Sequence, residues 1–219
     1  MTLASHFFTI NSFRKTILIL SCVVLTSLSC ASSIKKQNTA DKKRDSIIVK
    51  RNILPKSQKK LCAKFRKGHF EGVLDIMDKF IKLINPKYIF MGEKDFQQLF
   101  LINKFIIKKY NSKVYQCKTI RDKNFVALST RNYLLNKTNL INVGFIAKNL
   151  HKFKQKLKKI KKINKYILNK KRELINKFAI KIEYLEVLNE ADLKVYRYKS
   201  KFKLFIAYHI GKVRLIDNF

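Results

Sequence analysis

Residues 88–98, YIFMGEKDFQQ, set an apolar run directly before Gly92 and a charged turn that opens a helical pattern. A strand, a tight turn and a helix start gather backbone N–H groups, the positive end of a helix dipole and the Lys94 ammonium at one point. That combination suits a phosphate. An ordinary helix start accounts for the same residues, because the dipole also favours Glu93 and Asp95 in a first turn. Two further stretches carry groups of the same chemical kind. RKGHF supplies Arg66 and His69, and ALSTRN supplies the Ser129 and Thr130 hydroxyls with the Arg131 guanidinium. Each has a plainer reading: a structural histidine for His69, a hydroxyl-stabilised turn at a strand end for ALSTRN, and a solvent-facing helix residue for Gln98.

Four stretches in order, FRKGHFEGV (65–73), GEKDFQQL (92–99), ALSTRN (127–132) and GKVRLIDN (211–218), resemble motifs of the pantothenate synthetase, or pantoate:β-alanine ligase, family. The resemblance runs from about Lys59 to the C-terminus. It implies an α/β fold, part of a Rossmann-like nucleotidyltransferase domain with a parallel sheet, followed by a small α+β C-terminal domain. It also implies an AMP-forming ligase in which ATP, with Mg²⁺, activates pantoate as pantoyl adenylate before the amine of β-alanine displaces AMP. Position by position, it assigns Gly92, Glu93, Lys94, Asp95, Ile120, Leu128, Ser129, Thr130 and Arg131 to ATP, with Lys94 and Arg131 catalytic. Gln98, His69 and Arg66 fall on the pantoate side, and no residue is assigned to a metal. A cytoplasmic location and a homodimer are also implied.

The chain departs from the family pattern in three places. Asn124, Phe125 and Val126 stand where Asp-Gly-Leu is usual, so a glycine's loop freedom is lost. Thr130 replaces a usual serine. Residues 1–57 contain no HxGH-type signature and no second pantoate-binding glutamine, and His6 is the only histidine there. Two other readings follow: a non-catalytic fragment that needs a partner chain to supply that half, and a basic RNA-associated protein using a helix over residues 151–178.

The elements that must position these groups are legible from spacing. Apolar side chains at Val73, Ile76, Met77, Phe80, Ile81 and Ile84 predict a helix over 72–84, which Asn85 and Pro86 stop. The unbroken apolar run 88–91 predicts a strand buried on both faces of a parallel sheet. A helix apolar almost all round is expected over 95–110, then a strand over 113–120 and a loop at 121–124. This rhythm is that of a parallel α/β sheet, whose ligands lie at the carboxyl ends of its strands. Beyond 132 the pattern predicts helices over 140–150 and 151–178, then strands at 182–187, 202–210 and 213–216, the last two forming a hairpin at Gly211. The expected domains are an atypical segment 1–40, the remainder of the nucleotide domain at 41–132, and a C-terminal lid at 133–219.

The 47% hydrophobic content, with 17 Phe and 9 Tyr, supports a packed core and argues against disorder over the whole length. A formal charge of +35, from 49 Lys and Arg against 14 Asp and Glu, predicts salt-sensitive, non-specific attraction to nucleic acid. The lysines are scattered, so a solvated basic surface explains them as well. Cys22, Cys30, Cys62 and Cys117 show neither metal-ligand nor disulfide spacing, and Cys62 and Cys117 are expected to pack as small apolar residues. The uncharged stretch 16–34 has the layout of a secretory signal, with a buried strand as the alternative and no convincing membrane span. A lysine-rich connector, 35–60, follows, with one short strand expected around Ile47–Val49, Ile53 and Leu54.

Overall fold

The computed structural model describes residues 17–20 and 51–219. Strands β1 (Ile17–Leu20), β2 (Tyr88–Gly92) and β3 (Lys113–Cys117) form a parallel sheet in the order β1-β2-β3. β1 pairs from Ile17 opposite Tyr88 to Leu20 opposite Met91. The head of the signal-like apolar stretch is therefore a sheet strand, whereas Cys22, Cys30 and the strand expected at residues 47–49 lie outside the described residues. Ile53 and Leu54 belong to no strand, and Leu54 is buried in the core. Among the described residues, no helix is long and apolar enough to cross a membrane.

Helix α1 (His69–Ile84) turns Phe70, Val73, Leu74, Met77 and Ile81 inward, and its start precedes the expected one by a turn. Asn85 ends it in the left-handed region. Buried Asp78 accepts from Tyr110 Oη and Lys109 Nζ, at 2.5 and 2.6 Å, and from Asn52. Burial pushes the Asp78 carboxyl up, but these bonds outweigh it and hold the group below the usual carboxylate range. The single helix expected at 95–110 is instead a 3₁₀ turn, Glu93–Asp95, then α2 (Phe96–Phe105), then a second 3₁₀ turn, Ile107–Lys109. β2 is not buried on both faces. Ile89 and Met91 are buried, but Tyr88 and Phe90 are half-buried and meet the Tyr115 ring at 5.5 and 5.4 Å. β3 is mostly exposed, so Cys117 lies at the surface rather than in the core.

The C-terminal half is an antiparallel sheet, β4 (Lys181–Asn189), β5 (Phe202–Ile210) and β6 (Val213–Asn218), covered on one side by α3 (Lys137–Leu157) and α4 (Asn164–Phe178). The helix break falls after Leu157 rather than at residue 150, because Phe153 and Leu157 continue the buried stripe of Val143, Ile146, Ala147 and Leu150. Alternation along β5 divides the sheet's two faces. Leu204, Ile206 and Tyr208 pack with α3 and α4, while Phe205 and Ala207 join the core of α1, α2 and β2, as do Tyr184 and Leu188 of β4. A bulge between Ile182 and Tyr184 shifts the register of β4.

Candidate functional site

At the end of β2 the chain passes through Gly92 in ordinary extended geometry, and a Cβ there would meet nothing within 4 Å. Neither the following 3₁₀ turn nor α2 receives a side-chain cap. The backbone of this turn is held from the other half of the molecule. Asn218 Nδ2 donates to the Glu93 and Lys94 carbonyls at 2.9 and 3.0 Å. The Glu93 carboxylate pairs with Lys203, a buried lysine of β5 whose ammonium also lies 5.0 Å from the Phe96 ring centre. Glu93 is thereby engaged in joining the two sheets. Asp95 is half-buried. Lys94 Nζ donates to the Leu128 carbonyl at 3.2 Å, which ties the turn to the ALSTRN loop.

Gln98, one helical turn beyond Lys94, is 8% exposed. The plainer alternative of a solvent-facing glutamine does not hold, because α2 buries side chains around most of its circumference. Neighbouring Gln97 donates through Nε2 to the Lys60 carbonyl at 2.7 Å, while its buried Oε1 finds no partner among the described residues.

The loop after β3 is built on Asp122, whose Oδ1 accepts from the Asn124 and Val126 N–H groups at 2.8 and 2.9 Å. Phe125 closes it at φ 67°, a left-handed conformation that favours glycine. Ala127 bridges to Arg121, and the Ile120 carbonyl accepts from Leu128 N at 3.0 Å. The Ile120 and Leu128 side chains are exposed, as is Thr130. Ser129 caps the 3₁₀ turn Thr130–Leu134 by accepting from Arg131 N, so the local geometry is the hydroxyl-stabilised turn. This turn aims Arg131 at β6, where its Nη1 lies 3.4 Å from the Arg214 carbonyl. Arg121 locks the loop from below with two 2.8 Å bonds to the Asp217 carboxylate.

Three guanidinium groups gather around His69. Burial first, then the charges of Arg66, Arg214 and Arg131, hold its imidazole down at about 4, with Glu71 opposing. The ring is neutral at pH 7, and any bound anion would be met by cations from the RKGH turn, the ALSTRN loop and β6. Arg214 is fixed from behind by Glu183, through Nε at 2.9 Å and Nη2 at 2.7 Å, and Glu183 also meets His209 Nε2 at 2.8 Å. Arg214 Nη2 further approaches Cys62 Sγ at 3.5 Å, and that sulfur lies 3.0 Å from the Tyr184 hydroxyl. Cys62 is thus buried in the core of α1, α2 and β2, as expected, and its sulfur also borders a polar network.

The structure brings Arg66, His69 and Arg131 together and links Lys94 to them through the Leu128–Arg131 stretch. Gln98 contacts none of these groups directly. Arg214, Lys203 and Asn218 were not expected from the sequence. The first and last belong to GKVRLIDN, whose alternation places Arg214 and Asn218 on β6 but does not reveal what they reach. Among the described residues, no three His, Cys, Asp or Glu side chains gather to hold a metal ion. The arrangement is suited to holding an anionic substrate, with a neutral imidazole able to accept a hydrogen bond.

Comparison with known proteins points to the same family that the motifs resemble. Residues 39–219 match the family described as pantoate-beta-alanine ligase, reaching further towards the N-terminus than the motifs do. The pantothenate synthetase of Flavobacterium psychrophilum is 35% identical over 161 residues, covering 71% of this chain and 56% of that protein. The crystal structure of pantothenate synthetase from Thermus thermophilus superposes with a TM-score of 0.71 at 20% identity, over 80% of this chain and 64% of that one. The pantoate-beta-alanine ligase of Francisella tularensis, complexed with beta-gamma ATP and beta-alanine, gives 0.56 at 28% identity, over 80% and 59%. The chain spans 56% and 58% of the length of two curated relatives that it matches.

Proposed function

Because the chain belongs to the pantoate-beta-alanine ligase family, we propose that it takes part in the ATP-dependent condensation of pantoate with β-alanine. The observation that carries this reading is the convergence of Arg66, Arg131 and Arg214 on a neutral His69, beside a loop held by Lys94. In the first step a pantoate carboxylate oxygen attacks the α-phosphorus of ATP, forming pantoyl adenylate and releasing pyrophosphate. In the second the β-alanine amine attacks the acyl carbon, AMP leaves and the amine loses a proton. Neither step needs a covalent bond to the protein, so the chain's contribution is positioning and charge neutralisation.

In this scheme Lys94 and Arg131 follow the negative charge as pyrophosphate departs, and the Ser129 and Thr130 hydroxyls and nearby backbone N–H groups supply further donors. The buried Gln98 amide receives the pantoate hydroxyls, while Arg66 and His69 line the same side. Glu93 acts at one remove, since its carboxylate holds Lys203 and leaves only its backbone for the nucleotide. Gly92 leaves open space above the turn, and Ile120 and Leu128 border it. The donor set is cationic, so Mg²⁺ would arrive on the phosphate oxygens of ATP and would neutralise charge there. Residues 41–132 would supply the nucleotide-binding part and 133–219 its cover.

The test is to incubate the purified chain with ATP, Mg²⁺, pantoate and β-alanine and to follow AMP and pantothenate. AMP release that requires pantoate, and that falls at least about a hundredfold in Lys94→Ala or Arg131→Ala, supports the proposal. No AMP at high protein concentration, together with no measurable binding of ATP or pantoate, overturns it. Binding without turnover favours the second reading, a fragment that needs a partner chain. That reading is supported by the absence of an HxGH-type signature from residues 1–57.

A further inference from the structure

Away from the arginine cluster, the end of α3 and the loop between β4 and β5 enclose a crevice lined by Lys154, Lys158, Lys199, Lys201 and Glu190, with the Tyr196 and Phe202 rings. Four ammonium groups face one carboxylate, and none of them forms an ion pair within 4 Å among the described residues. Lys154 is half-buried, and burial, followed by the charges of Lys203 and Lys158, pushes its ammonium below the ordinary lysine value. The Glu190 and Glu93 carboxylates oppose that shift without cancelling it, so an anion in the crevice would further stabilise the half-buried ammonium.

The loop is held in a fixed conformation by its own hydrogen bonds. Asn189, 3% exposed, accepts from Arg197 N and Ser200 Oγ and donates to the Val195 carbonyl at 3.2 Å. Leu193 is fully buried, and its carbonyl accepts from Lys60 Nζ at 2.7 Å. The lysines therefore project from a preorganised frame, which lowers the entropy lost on binding.

We propose that this crevice binds an oligophosphate, either an inorganic di- or triphosphate or the phosphate tail of a nucleotide. An excess of three positive charges among the lining residues matches such a ligand better than a single carboxylate. Single-stranded nucleic acid is less well served. Tyr196 and Phe202 meet edge to face at 4.9 Å and occupy each other's surfaces instead of offering them to bases. The site is separate from the Arg66, His69 and Arg131 cluster and does not depend on the ligase reading.

The experiment titrates the full chain with tripolyphosphate by calorimetry at moderate salt. Lys154→Gln/Lys201→Gln should weaken binding about tenfold or more, as expected when two charge-assisted bonds are lost. Lys79→Gln/Lys108→Gln, which removes two exposed lysines elsewhere, should bind as the unaltered chain does. Acetylation footprinting of the unaltered chain provides a readout free of folding effects, with tripolyphosphate protecting Lys154, Lys158, Lys199 and Lys201 but not Lys79. Displacement of tripolyphosphate by a non-hydrolysable ATP analogue identifies a nucleotide tail as the occupant, and failure to displace identifies an inorganic chain. The proposal is overturned if the crevice variant binds normally, if the Lys79/Lys108 control loses as much affinity, or if the four lysines stay unprotected. Protection by a short single-stranded RNA but not by tripolyphosphate overturns it equally.

Discussion

Replacing His69 by glutamine removes the one titrating group on which three arginines converge, and the consequences can be worked out with their sign. The folded imidazole titrates at about 4 against an ordinary 6.5. Between those values the unfolded chain takes up a proton that the folded chain refuses. Stability is therefore full above about pH 6.5 and falls as the pH drops towards 4. A shift of that size corresponds to at most about 3 kcal/mol, and solvent screening of a half-buried ring reduces it to on the order of 1–2 kcal/mol. His69→Gln should flatten urea-derived stability across this window by that amount. The same ring reports on ligands, because an anion among the arginines offsets their charge and raises the imidazole value. With four histidines in the chain, imidazole NMR signals can be assigned by comparison with the variant. The His69 signal should titrate near 4 in the free protein and move up by about a unit or more with saturating pantoate. A His69 signal that titrates at 6.5 or above in the free protein would refute the convergence of charges and remove the main support for an anion site.

Two further perturbations probe how the halves are joined and how the loop is strained. Glu93→Gln leaves buried Lys203 without a counter-charge and should cost about 3 kcal/mol in chemical denaturation, whereas Glu93→Leu/Lys203→Met should recover most of that loss. Equal destabilisation by the single and double changes would show that the ion pair is not what matters there. Phe125→Asn and Phe125→Ala both lose the ring contact with His151 at 4.9 Å, but only Asn tolerates the left-handed backbone, so the Asn variant should be the more stable of the two by about 0.5–1 kcal/mol. A greater loss for Asn than for Ala would contradict the strain argument.

Local pattern made α1, β2 and the β5–β6 hairpin readable: α1 buries one stripe at helical spacing, β2 and β5 are short apolar runs, and Gly211 marks the turn between β5 and β6. The strain at Phe125 was legible too, because the family resemblance marks that position as a usual glycine and the backbone there is left-handed. What periodicity could not show were long-range polar pairs. Nothing near Glu93 in the sequence announces Lys203, and nothing near His69 announces Arg214. Periodicity also left the direction of Gln98 open, because on a helix enclosed around most of its surface a polar side chain carries no sign of which way it faces. The break between α3 and α4 was misplaced because two good helical stripes run end to end, and the stripe of the first continues through Phe153 to Leu157.

The antiparallel sheet contributes Tyr184, Leu188, Phe205 and Ala207 to the core of α1, α2 and β2, and its opposite face to α3 and α4. A cover attached in this way cannot swing as a rigid flap, because opening would carry those four side chains into water along with the Glu93–Lys203 pair. Access to the arginine cluster must instead come from the stretch between β3 and α3, whose exposed Ile120, Leu128 and Tyr133 lose little by shifting. Cutting the gene between codons 132 and 133 would accordingly yield two polypeptides that each lack one side of a shared interior, to be recovered in native form only when produced together.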